Sequence, residues 1–312
     1  MTNETVKSLP VNERNSTCRF PSYVLITPAR NEEAFIGLVL DSMVRQCVKP
    51  LRWVIVSDGS TDGTDEIVAR YAKNEPWIVL VRAPERSERH FAGKVHAFNL
   101  GYDVVKELPY DIIGNLDADI SFDSGYFEFL LEKFRLDPEL GVAGTPFTEG
   151  VQPYTHRFSR KDHVSGACQL FRRQCFESIG GYSPRKGGGV DLIAVVSARM
   201  KGWKTESFSE MYCIHHRRMG TANSHVLSAI FKSGYGDYPL GVHPVWQLLR
   251  SVYQMGRKPV FIGGVLLLAG YLWAVLTCAR RNVSKEFVRF RRKEQMQCLN
   301  DYFKRMFLFR AG

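Results

Sequence analysis

The 312 residues contain no low-complexity tract and no internal repeat. With 45% hydrophobic and 24% charged residues the composition is that of a chain able to build a core, and general disorder is excluded. Cysteine is sparse. Seven are scattered at positions 18, 47, 168, 175, 213, 278 and 298 without a C-x-x-C pair, which argues against a zinc or disulfide framework and for reduced thiols. The polar start, MTNETVKSLPVNERNST, has no apolar h-region, so no cleaved signal peptide is expected and the folded body is expected in the cytosol. Acid is scarce towards the other end. Residues 278–312 hold ten basic and three acidic side chains, so seven of the ten net positive charges sit there.

A basic patch suits nucleic acid or anionic lipid equally well, and the preceding segment decides between them. Residues 259–277, PVFIGGVLLLAGYLWAVLT, carry no charge, with Arg257 and Lys258 before them and Arg280 and Arg281 after. The run is near the lower length limit for a bilayer span, and both flanks are basic. A re-entrant or interfacial element is therefore expected ahead of a full span. Residues 285–309 alternate apolar clusters with Arg and Lys at helical spacing, the pattern of a basic amphipathic helix on an anionic membrane. Nucleic acid is not the expected partner.

Residues 21–220 read as strand, loop, helix, repeated. YVLIT (23–27), WVIVS (53–57), IVLVR (78–82) and IIGNL (112–116) are short buried strands, with helices expected near 33–47, 67–72 and 93–106. This alternation predicts an α/β fold with a mostly parallel twisted sheet and helices on both faces. Ligands in such sheets bind beyond the carboxyl ends of the strands, where Arg30, Glu32, Asp58, Asp117 and Asp119 all fall. The remaining organisation is a polar N-terminal segment (1–20), a connector near the membrane (221–256), and a C-terminal region (257–312) holding the hydrophobic run and the basic tail.

Asp117-Ala118-Asp119 is the most telling site. In an extended run residues two apart share a side, so both carboxylates would face one pocket. Two hard oxygen ligands suit Mg2+ or Mn2+. In Asp58-Gly59-Ser60-Thr61-Asp62-Gly63, the residues from Ser60 onward fit a turn and a helix start. Asp58 closes an apolar strand and is suited to accept a hydrogen bond from a nucleobase N–H.

Together ITPARNEE, VSDGSTDGT, GKVHAFNLGY and LDADI, in this order, resemble the inverting family 2 glycosyltransferases of GT-A fold, over about residues 23–208. The resemblance implies a nucleotide-sugar donor, with Pro28, Arg30, Glu32 and Asp58 lining the nucleoside pocket. It also implies Lys94 near the donor phosphates, Asp117 near the ribose and Asp119 as ligand of Mn2+ or Mg2+. The family's general base follows a G-G-Y/F turn. Gly180-Gly181-Tyr182 is present and Asp191 is the matching acid, although Val190 stands where a first acid is usual. His215 and His216 are further candidate metal ligands, and Arg217 or Arg218 a candidate diphosphate clamp. The other histidines, at 90, 96, 156, 163, 225 and 243, receive no role.

The expected activity is transfer of a sugar from a UDP- or GDP-sugar to a lipid-linked or membrane-proximal glycan hydroxyl, at the cytoplasmic face of a membrane. A polyprenyl-phosphate acceptor and a non-catalytic nucleotide-sugar-binding membrane protein are the alternatives. The loop PARNEE has no glycine, unlike that of sugar nucleotidyltransferases, and no Q-x-x-R-W run follows Asp191, unlike processive synthases.

Overall fold

The computed structural model describes residues 20–84, 91–149, 152–153, 162–184, 188–217 and 226–308. The polar segment up to residue 19, Cys18, Arg218 and the histidines at 90, 156 and 225 lie outside the described residues.

The body begins with β1 (Tyr23–Ala29), α1 (Ile36–Val44), β2 (Arg52–Ser57), α2 (Thr64–Asn74), β3 (Ile78–Arg82), α3 (Phe91–Val105) and β4 (Ile112–Leu116). There follow β5 (Ile120–Ser121), α4 (Tyr126–Leu136), β6 (Leu140–Gly144), β7 (Phe147–Glu149), β8 (Gln152–Pro153), β9 (Cys168–Arg172) and α5 (Arg173–Ser178). The last body elements are α6 (Val190–Met200), β10 (Lys204–Ser207) and β11 (Cys213–His215). Helices α7 (Val226–Asp237), α8 (Pro244–Met255), α9 (Ile262–Leu276) and α10 (Lys285–Leu308) complete the described chain.

Seven strands form the main sheet in the order β10-β6-β9-β4-β1-β2-β3. All neighbours are parallel except β9, which runs against β4 and β6. The strands are apolar on both faces because both faces are covered. Tyr23 and Leu25 of β1 join α1, α2 and α4 on one side, while Val24 and Ile26 meet α3, α5 and α6 on the other. Short β5, β11, β7 and β8 make a second sheet at one end. Helix α5 ends at Gly180 and Gly181, whose φ of 74° and 67° are left-handed, the backbone that lets the chain leave a helix.

The C-terminal region differs from expectation in two respects. The uncharged run condenses into a 15-residue helix, α9, about 22 Å long. No described helix is long and apolar enough to cross a membrane. Helix α10 forms where the basic amphipathic helix was expected, but Phe287, Val288 and Leu299 are buried against protein, not free for lipid. Leu299 packs with Val242, Trp246 and Tyr271. The stretch expected as a connector, residues 221–256, holds α7 and α8.

Candidate active site

The loops that leave β1 and β2 are tied together by backbone donors. Glu32 N donates to Thr64 Oγ1 at 2.8 Å, Thr61 N to Asn31 Oδ1 at 2.8 Å and Gly63 N to Glu33 Oε2 at 3.1 Å. Residues Ser60 to Thr64 are thus structural, as their turn chemistry predicts. Asp58 is different. It is buried at the end of β2 with Oδ1 lacking a hydrogen-bond partner among the described residues, while Oδ2 lies 4.0 Å from Arg30 Nη1. A Cβ on Gly93 would come within 3.0 Å of Asp58 Oδ2, so the first turn of α3 closes over this carboxylate. A buried carboxylate oxygen without a donor is costly and marks a place for a ligand's N–H. Pro28 pairs with Val56 between the same two strands.

Asp117-Ala118-Asp119 does not lie in an extended run. It forms the turn between β4 and β5, so the carboxylates converge through the turn and not through a strand's pleat. Asp117 N donates to Ala167 O at 2.8 Å, holding the turn to the start of β9. Asp117 Oδ1 accepts from Lys94 Nζ at 2.6 Å and from Asn115 Nδ2 at 3.2 Å. Burial alone would lower the Lys94 pKa, but Asp117, then Asp191 and Asp119, hold it above its ordinary value. Burial and the charge of Asp117 push the Asp119 carboxyl above the usual carboxylate range, against the opposing pull of His215, Arg217 and Lys94.

His215 reaches this turn by strand pairing. β11 runs antiparallel to β5 with His215 opposite Ile120, and His216 N donates to Asp119 O at 2.9 Å. The His215 Nδ1 contacts the carbonyl of Arg217, which can only accept, so Nδ1 donates and Nε2 is the nitrogen turned towards Asp119. That Nε2 lies 3.6 Å from Asp119 Oδ1. His216 points elsewhere, as alternation along a strand requires: its Nε2 is 2.8 Å from Ser121 Oγ and its ring stacks on Phe35. It lies outside the cation cluster. Arg217, a candidate diphosphate clamp, reaches the same turn. Its Nη1 and Nη2 grip Glu32 at 3.1 and 2.6 Å, and its Nε lies 3.8 Å from Asp119 Oδ2. Glu32 is therefore engaged by Arg217 across the mouth of the site.

Ligand atoms of Asp117, Asp119 and His215 lie within 4.8 Å of one another. Two carboxylates and an imidazole whose other nitrogen is held by a carbonyl fit a divalent cation, Mn2+ better than Mg2+ because of the nitrogen donor. The raised Asp119 pKa fits the same cation, which would neutralise the crowded charge.

Beside this cluster opens a cavity of about 390 Å³ whose lining includes Lys94, Asp117, His163, Asp191 and His215. Asp191 stands in the first turn of α6 against Gly166, where a Cβ would come within 3.1 Å of its own Cβ. The structure thus brings together Lys94, Asp117, Asp119, His215 and Asp191, while Arg30 and Asp58 sit at the ends of β1 and β2. Sequence reasoning missed His163. Its Nδ1 is buried with no hydrogen-bond partner among the described residues, and burial pushes its pKa down against the pull of Asp191. A lone histidine outside any motif gives no signal in sequence.

A family model described as Glycosyl transferase family 2 matches residues 24–186. Poly-beta-1,6-N-acetyl-D-glucosamine synthase of Staphylococcus aureus is 31% identical over 189 residues, which is 58% of this chain and 41% of that protein. The 4,4'-diaponeurosporenoate glycosyltransferase of the same species is 33% identical over 140 residues, 44% of this chain and 33% of that protein. The chain therefore spans less than half the length of these curated relatives. Among solved structures, the mannosyltransferase PcManGT from Pyrobaculum calidifontis, in complex with GDP-Man and Mn2+, superposes with a TM-score of 0.57 at 17% identity. That match covers 83% of this chain and 88% of the other. TarS 1-349 of S. aureus in complex with UDP-GlcNAc gives 0.53 at 15% identity, covering 86% and 78%. At these identities the structural likeness is one of fold.

Proposed function

Because the chain belongs to glycosyl transferase family 2, we propose that it moves one sugar from a UDP- or GDP-activated donor to a hydroxyl of a lipid-linked or membrane-proximal glycan. The observation that carries this reading is the convergence of Lys94, Asp117, Asp119, His215 and Asp191 on one side of the sheet, next to a cavity of about 390 Å³. The GT-A fold shared with proteins solved with UDP-GlcNAc and GDP-Man supports a nucleotide-sugar donor. The glucosamine-polymer synthase among its relatives supports surface-glycan assembly.

In this reading Asp58 accepts from the base N–H through its unpartnered oxygen, with Arg30 beside it and Pro28 in the pocket wall. Glu32, clamped by Arg217, orders the loop after β1 at the same pocket. Lys94, kept charged by Asp117, faces the donor phosphates. A divalent cation held by Asp119, His215 and Asp117 would supply neutralisation of the leaving diphosphate. Asp191 takes the proton of the acceptor hydroxyl as it attacks the anomeric carbon opposite the diphosphate, so configuration inverts. The cavity between Asp191 and Asp117 leaves room for the acceptor.

The test is a donor screen in detergent with Mn2+ or Mg2+, scoring release of nucleoside diphosphate and beginning with UDP-GlcNAc and GDP-mannose. The expected result is metal-dependent turnover of one donor, abolished in Asp119→Ala. Asp191→Asn should retain donor binding while losing transfer by roughly a hundredfold or more. Failure of every variant to bind any nucleotide sugar would sink the proposal.

A further inference from the structure

Around a small apolar core that includes Trp246 and Tyr271, helices α8 and α9 also bury polar side chains and glycines and leave many apolar side chains outside. In α8, Gln247 and Ser251 are fully buried while Val245, Leu248 and Val252 are about half exposed. Gln247 Nε2 donates to the Leu267 carbonyl of α9 at 3.4 Å. Helix α9 turns its glycines inward and leaves Ile262, Val265, Leu272, Trp273 and Leu276 on the outside. This outer face cannot rotate into the protein. A Cβ on Gly270 would lie 2.1 Å from Phe231 O, one on Gly234 2.0 Å from Leu267 O, and one on Gly264 2.3 Å from Ser251 O. Backbones in such close approach fix α9 between α7 and α8. In water a surface helix that buries Gln and Ser and exposes Val and Leu is inverted. The arrangement suits an apolar medium, and small residues at close helix contacts are how helices associate there.

Charge says which apolar medium. From residue 238 to residue 285 the chain has no acidic side chain. Exposed Arg257 and Lys258 precede α9, and exposed Arg280, Arg281 and Lys285 follow it. Positive charge at both ends places both on one face of a membrane, and a helix of about 22 Å falls short of the roughly 30 Å hydrocarbon core.

We propose that the outer faces of α8 and α9 form a docking surface that beds into one leaflet of an anionic bilayer without crossing it, with the basic residues flanking α9 on the lipid phosphates. The surface rests on these helices alone, so it and the transferase reading can fail separately.

The experiment is flotation of the full chain with phosphatidylcholine vesicles, with and without phosphatidylglycerol, together with quenching of tryptophan emission by brominated acyl chains. Binding is expected to the anionic vesicles, weakened by salt. Val252→Glu combined with Leu272→Glu should weaken it roughly tenfold or more, because each places a charge in the bedded face. Trp273→Phe should remove most of the quenching. Unchanged thermal melting in detergent keeps misfolding from imitating the result, whether or not a donor is turned over. Four outcomes would overturn the proposal: equal binding to both vesicle types, no binding to either, resistance to alkaline carbonate as of a spanning protein, or a dimer in buffer that the double substitution makes monomeric.

Discussion

Asp119 serves two opposed requirements. Its carboxylate is buried beside Asp117, which raises its pKa, and it must be ionised to hold a cation. A folded-state pKa above the unfolded one means the ionised carboxylate costs stability above the folded value, a cost that disappears as pH falls through it. Metal-free Asp119→Asn is therefore expected to melt above the wild type at neutral pH. The difference should shrink as pH falls through the raised value towards 3.8, the ordinary Asp value. Added Mn2+ should raise the melting temperature of the wild type and leave that of the variant nearly unchanged; the reverse pattern would remove the cation from this site. Asp117 and Asp119 stand out in the sequence because they follow a buried strand, whereas Lys94 and Asp191 enter only through the family resemblance. His215 and His216 were not separable there. Adjacent strand residues face opposite ways, and only the register of β11 on β5 decides which joins the carboxylates. The Arg217–Glu32 pair joins positions 185 residues apart, which no local pattern reveals.

Among the elements, strands β3 and β4 fall at their expected positions because an uninterrupted β-rich run bounded by turn residues admits few alternatives. Helices α7 and α8 were hidden in a stretch rich in Gly, Pro and aromatics. The apolar positions of α8 do have helical spacing, but they face outward, so reading them as a core stripe would have mispositioned the helix. The glycines make the contact between α7 and α9 testable. Gly270→Ala puts a methyl group 2.1 Å from a backbone oxygen that has no rotamer to yield. It should cost about 1 to 3 kcal/mol, read as earlier thermal unfolding in detergent. Gly236→Ala, in α7 with nothing within 4 Å of the added Cβ, should be neutral or stabilising by up to about 1 kcal/mol. Equal effects of the two would mean that close approach is not what fixes α9.

Across the whole molecule, the C-terminal helices are fastened to the catalytic body. Arg199 of α6 reaches Glu294 of α10 with Nε at 2.7 Å and Nη2 at 3.0 Å, and its Nη1 donates to Asp162 O and Thr205 Oγ1. Leu240, between α7 and α8, packs against Gly189 at the start of α6, and Arg291 Nη1 donates to its carbonyl at 2.6 Å. Asp191 is on this same helix. With both side chains of the Arg199–Glu294 pair nearly buried and Asp162 Oδ2 still 3.7 Å from Arg199 Nε, Glu294→Ala removes two charge-assisted hydrogen bonds and should destabilise by about 1.5 to 3 kcal/mol, measurable by urea unfolding. Truncation after Gly256 removes that partner as well as α9. It should therefore impair the folding of the body and not simply release it from lipid. The sequence reads as a body and a basic tail, but a bidentate pair between distant helices leaves no periodic trace, so the dependence of one on the other was invisible.

The reversed direction of β9 has a consequence for how such a site diversifies. Strands β1, β2 and β4 deliver their trailing residues to the site, whereas β9 delivers its leading residues, with Leu116 at the end of β4 opposite Cys168 at the start of β9. Ser165, Gly166 and Ala167 thereby line the cavity beside Asp191, while the loops after β1 and β2 carry Arg30 and Asp58. The chain ahead of β9 and the loops behind β1 and β2 are separate inheritances. A lineage, or an engineer grafting loops, can rewrite the cavity wall beside Asp191 without disturbing the ends of β1 and β2.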